Sequence, residues 1–131
     1  NLRELKEPER IEYRRHIAFY KRVRAVIQDG DLYRLERLEQ FGRSVWQYVS
    51  ADGRESVYAL AVRDAMVGLV PPNPPLRGLD PAARYRVTDL DGQEIACVPG
   101  LDLMVQGLTG DREVGRCNMR GYSRMVHLQR V

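Results

Sequence analysis

A run of prolines sets the strongest limit on how this chain can fold. Residues 70–81 read VPPNPPLRGLDP and hold five of the seven prolines in a chain of 131 residues. Proline lacks a backbone N–H and fixes φ at about −65°, so neither a helix interior nor a central strand can pass through this stretch. The segment must run extended, and regular structure must lie on either side of it. Pro81 behind Asp80 favours a tight turn. "ARYRVTD" (83–89) then alternates, with Tyr85 and Val87 on one face. Such a stretch suits a crossing from one sheet to another, because the missing N–H groups keep it from pairing with either edge.

Ahead of the prolines the pattern is helical and then strand-like. Pro8 suits a first helical turn, and Glu7, Glu9 and Glu12 complement the positive end of a helix dipole. Tyr13, Ile17, Tyr20, Val23 and Ile27 recur at spacings of four and three and line up one face of a helix over 8–28. Phe19 and Val26 add a second strip on the flank, making an apolar arc too wide for a helix covered on one side only. Gly30 ends the helix. "SVWQYVS" (44–50) and "ESVYALAVR" (55–63) flank Asp52-Gly53, the dipeptide of a type I′ hairpin turn. "ALAV" does not alternate and predicts a strand covered on both sides.

Beyond the prolines, Asp91-Gly92 predicts a second hairpin, and Leu101, Leu103, Met104 and Leu108 give a short apolar element. A last strand, "SRMVHLQRV", alternates Met125, His127 and Gln129 against Val126, Leu128 and Arg130. One helix followed by short strands with turn signals every eight to twelve residues predicts a mainly β fold: an antiparallel β-sandwich of Greek-key type preceded by one long N-terminal α-helix.

Composition and charge narrow the function classes. Apolar residues make up 44% and charged residues 30% of the chain, a globular balance with enough apolar surface for a core. No window approaches the ~18 consecutive apolar residues of a membrane span, and no signal-peptide pattern opens the chain. The chain begins at Asn1, which reads as a cut end. The 21 basic and 18 acidic residues are interspersed and not gathered on one face, which argues against a nucleic-acid partner. Cys97 and Cys117 form no C-x-x-C and lie at no ligand spacing from His16 or His127, so no metal site and no cofactor is expected. One disulfide or two free thiols fit the pair equally.

The residue types of catalysis are present but do not converge. Asp52, Asp91 and Asp111 sit in glycine-rich turns and Asp80 precedes proline, positions where aspartate serves its own backbone. Ser123, His127 and Asp102 supply a triad's residue types without a G-x-S-x-G elbow, and "GLTGDREVG" lacks the G-K-[ST] ending of a phosphate loop. Trp46 and Tyr48 offer an aromatic platform on which a sugar could stack, against the plainer expectation of cross-strand packing.

Four ordered motifs carry a family resemblance. "AFYKRVRAVIQDGDLYRL" (18–35) resembles the last barrel helix and following loop of family 36 glycoside hydrolases, the α-galactosidase and raffinose-synthase group. Tyr20, Lys21, Arg24, Ile27, Gln28, Gly30, Asp31, Tyr33, Arg34 and Leu35 match the pattern, and Asp29 replaces a frequent aromatic. "PPLRGLDPAARYRV", "LDLMVQGL" and "SRMVHL" are similar to the family's L-x-G-L-D-P-x-A-x-Y-x-V, L-M-x-x-G-L and S-x-x-F-H-L segments, with Gln106 and Val126 as departures.

The resemblance implies a C-terminal β-sandwich (41–131) preceded by the last helix of a missing (β/α)₈ barrel and its connecting loop (1–40). The family's two catalytic aspartates lie on barrel strands, so no catalytic, substrate-binding or metal residue is carried over to this chain. The implied partner is the catalytic barrel of the same parent chain, met through Tyr13, Ile17, Tyr20, Val23 and Ile27, with Leu32 and Leu35 anchoring the connecting loop. The parent is expected to be a cytoplasmic bacterial enzyme that hydrolyses terminal α-D-galactosides such as melibiose and raffinose with retention. Without the barrel, the helix is expected either to mediate a homodimer or to fold back on its own sandwich.

Overall fold

The computed structural model describes residues 4–36, 42–64, 73–108 and 122–131. Pro71, Pro72, Asp111, Cys117, most of "DAMVGLV" and the latter part of "GLTGDREVG" lie outside them. Helix α1 (Glu7–Asp29) leads into β1 (Asp31–Glu36), β2 (Arg43–Val49) and β3 (Glu55–Val62). After the proline stretch come β4 (Arg84–Thr88), β5 (Glu94–Pro99), the short helix α2 (Gly100–Gln106) and β6 (Ser123–Arg130). The mainly β, antiparallel class with one long N-terminal helix is what the structure has.

All six strands of the described residues lie in one sheet, in the order β1-β2-β3-β6-β4-β5, with every pairing antiparallel. Strand β6 sits between β3 and β4, with Tyr58 opposite Val126 on one side and Val87 opposite Leu128 on the other. Alternation along each strand builds two cores. On one face Val45, Val49, Tyr58, Leu60, Tyr85, Val87, Val126 and Leu128 meet Leu76 and Leu79 of the proline stretch and Leu103 of α2. On the other, Val57, Tyr48, Met125 and Leu90 pack under Phe19, Val23 and Val26 of α1. The predicted two-sided cover of β3 follows from this layering.

The proline stretch therefore crosses one face of a single sheet, where a crossing between two sheets was expected. Gln47, fully buried, holds it there: its Nε2 donates to Arg77 O and its Oε1 accepts from Arg77 N, both at 2.9 Å. Leu76 N donates to Leu103 O of α2 at 2.9 Å. Tyr85, also fully buried, accepts from Asp80 N at 2.8 Å and donates its hydroxyl to Gly53 O at 2.6 Å, joining strap, strand and hairpin turn.

Three local expectations are corrected. Residues 31–36, expected as a connecting loop, form the edge strand β1, with Leu32 opposite Tyr48 and Arg34 opposite Trp46. The 50–55 hairpin is not type I′, because only Gly53 takes positive φ, at 71°. Gly53 N donates to Ser50 O, while the Asp52 carboxylate accepts from Arg54 N and Ser50 Oγ, and this wider loop lets Asp52 stay in an ordinary conformation. Gly30 ends α1 without left-handed backbone (φ −86°, ψ 172°). Its lack of a side chain matters because a Cβ there would run into Val26 O and would lie 2.6 Å from Val49 O.

Candidate functional site

Helix α1 carries four of the exposed large apolar residues among the described ones: Ile11, Tyr13, Ile17 and Tyr20. At about 100° per residue, Phe19, Val23 and Val26 share one strip, and Tyr13, Ile17 and Tyr20 share another roughly 120° around the axis. The first strip is buried against the sheet. The second is open: Tyr13 is 51%, Ile17 37% and Tyr20 45% exposed. Val23 is corrected by this geometry. It is fully buried under the chain's own sheet and faces no other partner. Ile27 lies half-buried at the border of the two strips. Leu32 is exposed on the α1 side of β1, whereas Leu35 packs half-buried against the main core and so anchors a strand and not a loop.

Polar contacts fix the helix to the β4–β5 turn. Arg15 donates from Nε and Nη2 to both oxygens of Asp91, at 2.7 and 2.9 Å, and from Nη1 to Glu12 at 2.7 Å. The pairing raises the Arg15 pKa and holds the Asp91 carboxyl below the usual range. Arg22 donates from Nη2 to Leu90 O at 3.0 Å and to Asp89 O at 3.3 Å, with its guanidinium 5.3 Å from the Phe19 ring centre. Neither contact was legible in advance, since each joins residues more than sixty positions apart.

The candidate catalytic types do not meet. Asp52 spends its carboxylate on Arg54 N and Ser50 Oγ, which lowers its pKa, and Asp80 Oδ1 accepts from Ala82 N within its turn. Ser123 and His127 are four residues apart on β6, roughly 13 Å along an extended strand. Asp102 is on α2, over the opposite face of the sheet. Among the described residues no three His, Cys, Asp or Glu side chains are grouped to hold a metal ion. Cys97 is an exposed free thiol.

Trp46 and Tyr48 do not form an aromatic platform. Tyr48 packs under α1, while Trp46 is half-buried and lines a cleft of about 740 Å³ between the N-terminal half of α1, the β3 and β6 strands and the β4–β5 hairpin. The polar groups that α1 gives to this cleft, Glu12, Arg15 and His16, are already engaged with one another or with Asp91.

Comparison with known proteins agrees with this architecture. Residues 43–128 match the family model of the glycosyl hydrolase family 36 C-terminal domain. Alpha-galactosidase AgaA of Geobacillus stearothermophilus is 32% identical over 94 residues, covering 69% of this chain and 12% of the relative. The crystal structure of alpha-galactosidase AgaB from the same organism superposes with a TM-score of 0.80 at 29% identity, covering 98% of this chain and 16% of that one. An AgaA variant in complex with raffinose gives a TM-score of 0.80 at 28% identity, covering all of this chain and 17% of that one. The chain thus spans under a fifth of the length of these relatives.

Proposed function

The chain belongs to the C-terminal domain family of glycosyl hydrolase family 36, and we propose that it is the non-catalytic cap of an α-galactosidase. The observation that carries the reading is the open strip of α1. Tyr13, Ile17 and Tyr20 stand exposed on a helix whose other apolar strip is already used, in a chain that spans under a fifth of its relatives. Three large apolar residues exposed on one helical strip, with Leu32 exposed on the same side of the sheet, are the kind of surface that a second domain covers.

In this reading the catalytic portion of the parent covers Tyr13, Ile17, Tyr20 and Leu32, with Ile27 at the border. The sheet beneath α1 gives that helix a rigid backing through Phe19, Val23 and Val26. The parent hydrolyses terminal α-galactosides with retention, raffinose being the ligand seen with the AgaA variant. The dispersed aspartates and the separated Ser123 and His127 support a role without chemistry for this part.

Two experiments test the reading. A chromogenic α-galactoside assay on this chain should give no turnover, and turnover above a mock-purified control would refute it. In the full-length parent, Ile17→Glu with Tyr20→Glu should shorten the half-life of α-galactosidase activity on heating while leaving the initial KM unchanged. An unaltered half-life would place the interface elsewhere.

A further inference from the structure

His127 is the one imidazole buried between α1 and the sheet, and nothing in the cap reading uses it. It is 4% exposed, sits mid-strand on β6 opposite Val57 and Thr88, and faces the α1 side. Its Nε2 makes no hydrogen bond among the described residues, and the Glu55 carboxylate lies 3.5 Å from it at Oε1. A buried ring nitrogen left this way is tolerable when the ring is neutral. When the ring is charged, it places an ion under a helix with one half-exposed carboxylate beside it.

We propose that protonation of His127 loosens α1 from the sheet, so that the helix is held fully at neutral pH and is released progressively in acid. The groups around the ring set the direction. From β3 comes Glu55, which favours the charged ring but is shared with Gln129 Nε2 at 3.4 Å. From α1 comes Arg22, a like charge. From β4 come Thr88, which donates its hydroxyl to His127 O, and Arg86, which is paired with Glu94 at 3.6 Å. Asp89, at the end of β4, has Oδ1 engaged by Asp91 N and Gln93 N. Burial is the largest influence and lowers the ring's affinity for a proton, with Arg22 adding to it and Glu55 opposing.

Arg22 makes the effect local. Its guanidinium is the contact that ties the middle of α1 to Asp89 O and Leu90 O. A second positive charge near it opposes that clamp directly. The sign follows from linkage: a histidine whose folded-state pKa is depressed contributes stability that is complete above its unfolded value of about 6.5 and is lost as pH falls through the folded one. The inference holds whichever partner covers the outward strip of α1.

Hydrogen exchange on this chain, corrected for intrinsic rates, tests it. Between pH 7.5 and pH 5, protection of residues 19–26 should fall relative to the β2–β3 hairpin, by the factor in which the ring's proton affinity is depressed. In His127→Gln the fall should vanish, and in Glu55→Gln it should grow, because the carboxylate that favours the charged ring is gone. Equal falls in wild type and His127→Gln would overturn the proposal, as would constant protection in wild type. An NMR titration of the wild-type imidazole protons gives a readout that needs no variant. A His127 signal titrating above pH 6.5 would overturn it too.

Discussion

Replacing Gln47 by leucine should cost the chain more than its position on an ordinary strand suggests. The Gln47 amide makes three hydrogen bonds at 2.9 Å: two to the backbone of Arg77 and one from Nε2 to Ser56 Oγ. The two to Arg77 reproduce the paired bonds of an antiparallel ladder and hold a segment whose prolines cannot form a ladder of their own. At about 1 kcal/mol each, three bonds come to about 3 kcal/mol, less about 1 kcal/mol regained by burying a leucine. The expected loss of about 2 kcal/mol should move the urea midpoint down by roughly 1 M at an m-value of ~2 kcal/mol/M. Far-UV circular dichroism and Trp46 fluorescence should report the same midpoint. Gln47→Glu sharpens the test. Its carboxylate would face Arg77 O in the core, and stability should recover as acid protonates it and restores a donor. A Gln47→Leu chain within 0.5 kcal/mol of wild type would show that apolar packing alone holds the strap, and the reasoning would fail.

Three further outcomes are expected. Tyr85→Phe removes a hydroxyl that bonds Asp80 N and Gly53 O, and thermal unfolding should show a loss of about 1–3 kcal/mol. Phe19→Ala empties the centre of the α1–sheet contact, and urea unfolding should show a loss of about 3–5 kcal/mol with α1 amides exchanging first. Gly30→Ala keeps an allowed φ but drives a methyl into two backbone oxygens. A loss of about 1–3 kcal/mol is expected, and a neutral result would show that the β1 edge gives way.

Local pattern was readable where one period dominated. The helix expected over 8–28 is Glu7–Asp29, and Tyr85 with Val87 on a common buried face follows from simple alternation. The length of α1 was legible, but which strip meets the sheet was not, because both strips are rich in large apolar and aromatic residues and tertiary packing chooses between them. Strand β1 was hidden because 31–36 is short, edge-placed and interrupted by a register shift between Arg34 and Glu36. The Gln47–Arg77 and Tyr85–Gly53 contacts span about thirty residues, and no window of sequence reveals them. The open strip of α1 was half-legible: its residues were named, yet Val23 proved to belong to the opposite strip.

The position of β6 has a consequence for synthesis. Strand β6 lies between two strands made earlier, and Glu55 is 74 residues from the Gln129 that it meets. On the ribosome, β1–β3 and β4–β5 emerge as two half-sheets with facing unpaired edges. They can join only when β6 arrives, so until residues 123–130 have emerged the nascent chain carries two adhesive borders. A premature stop before residue 123 would leave them permanently open. The quality-control burden of such a product would come from the missing eight-residue seam more than from any lost core side chain.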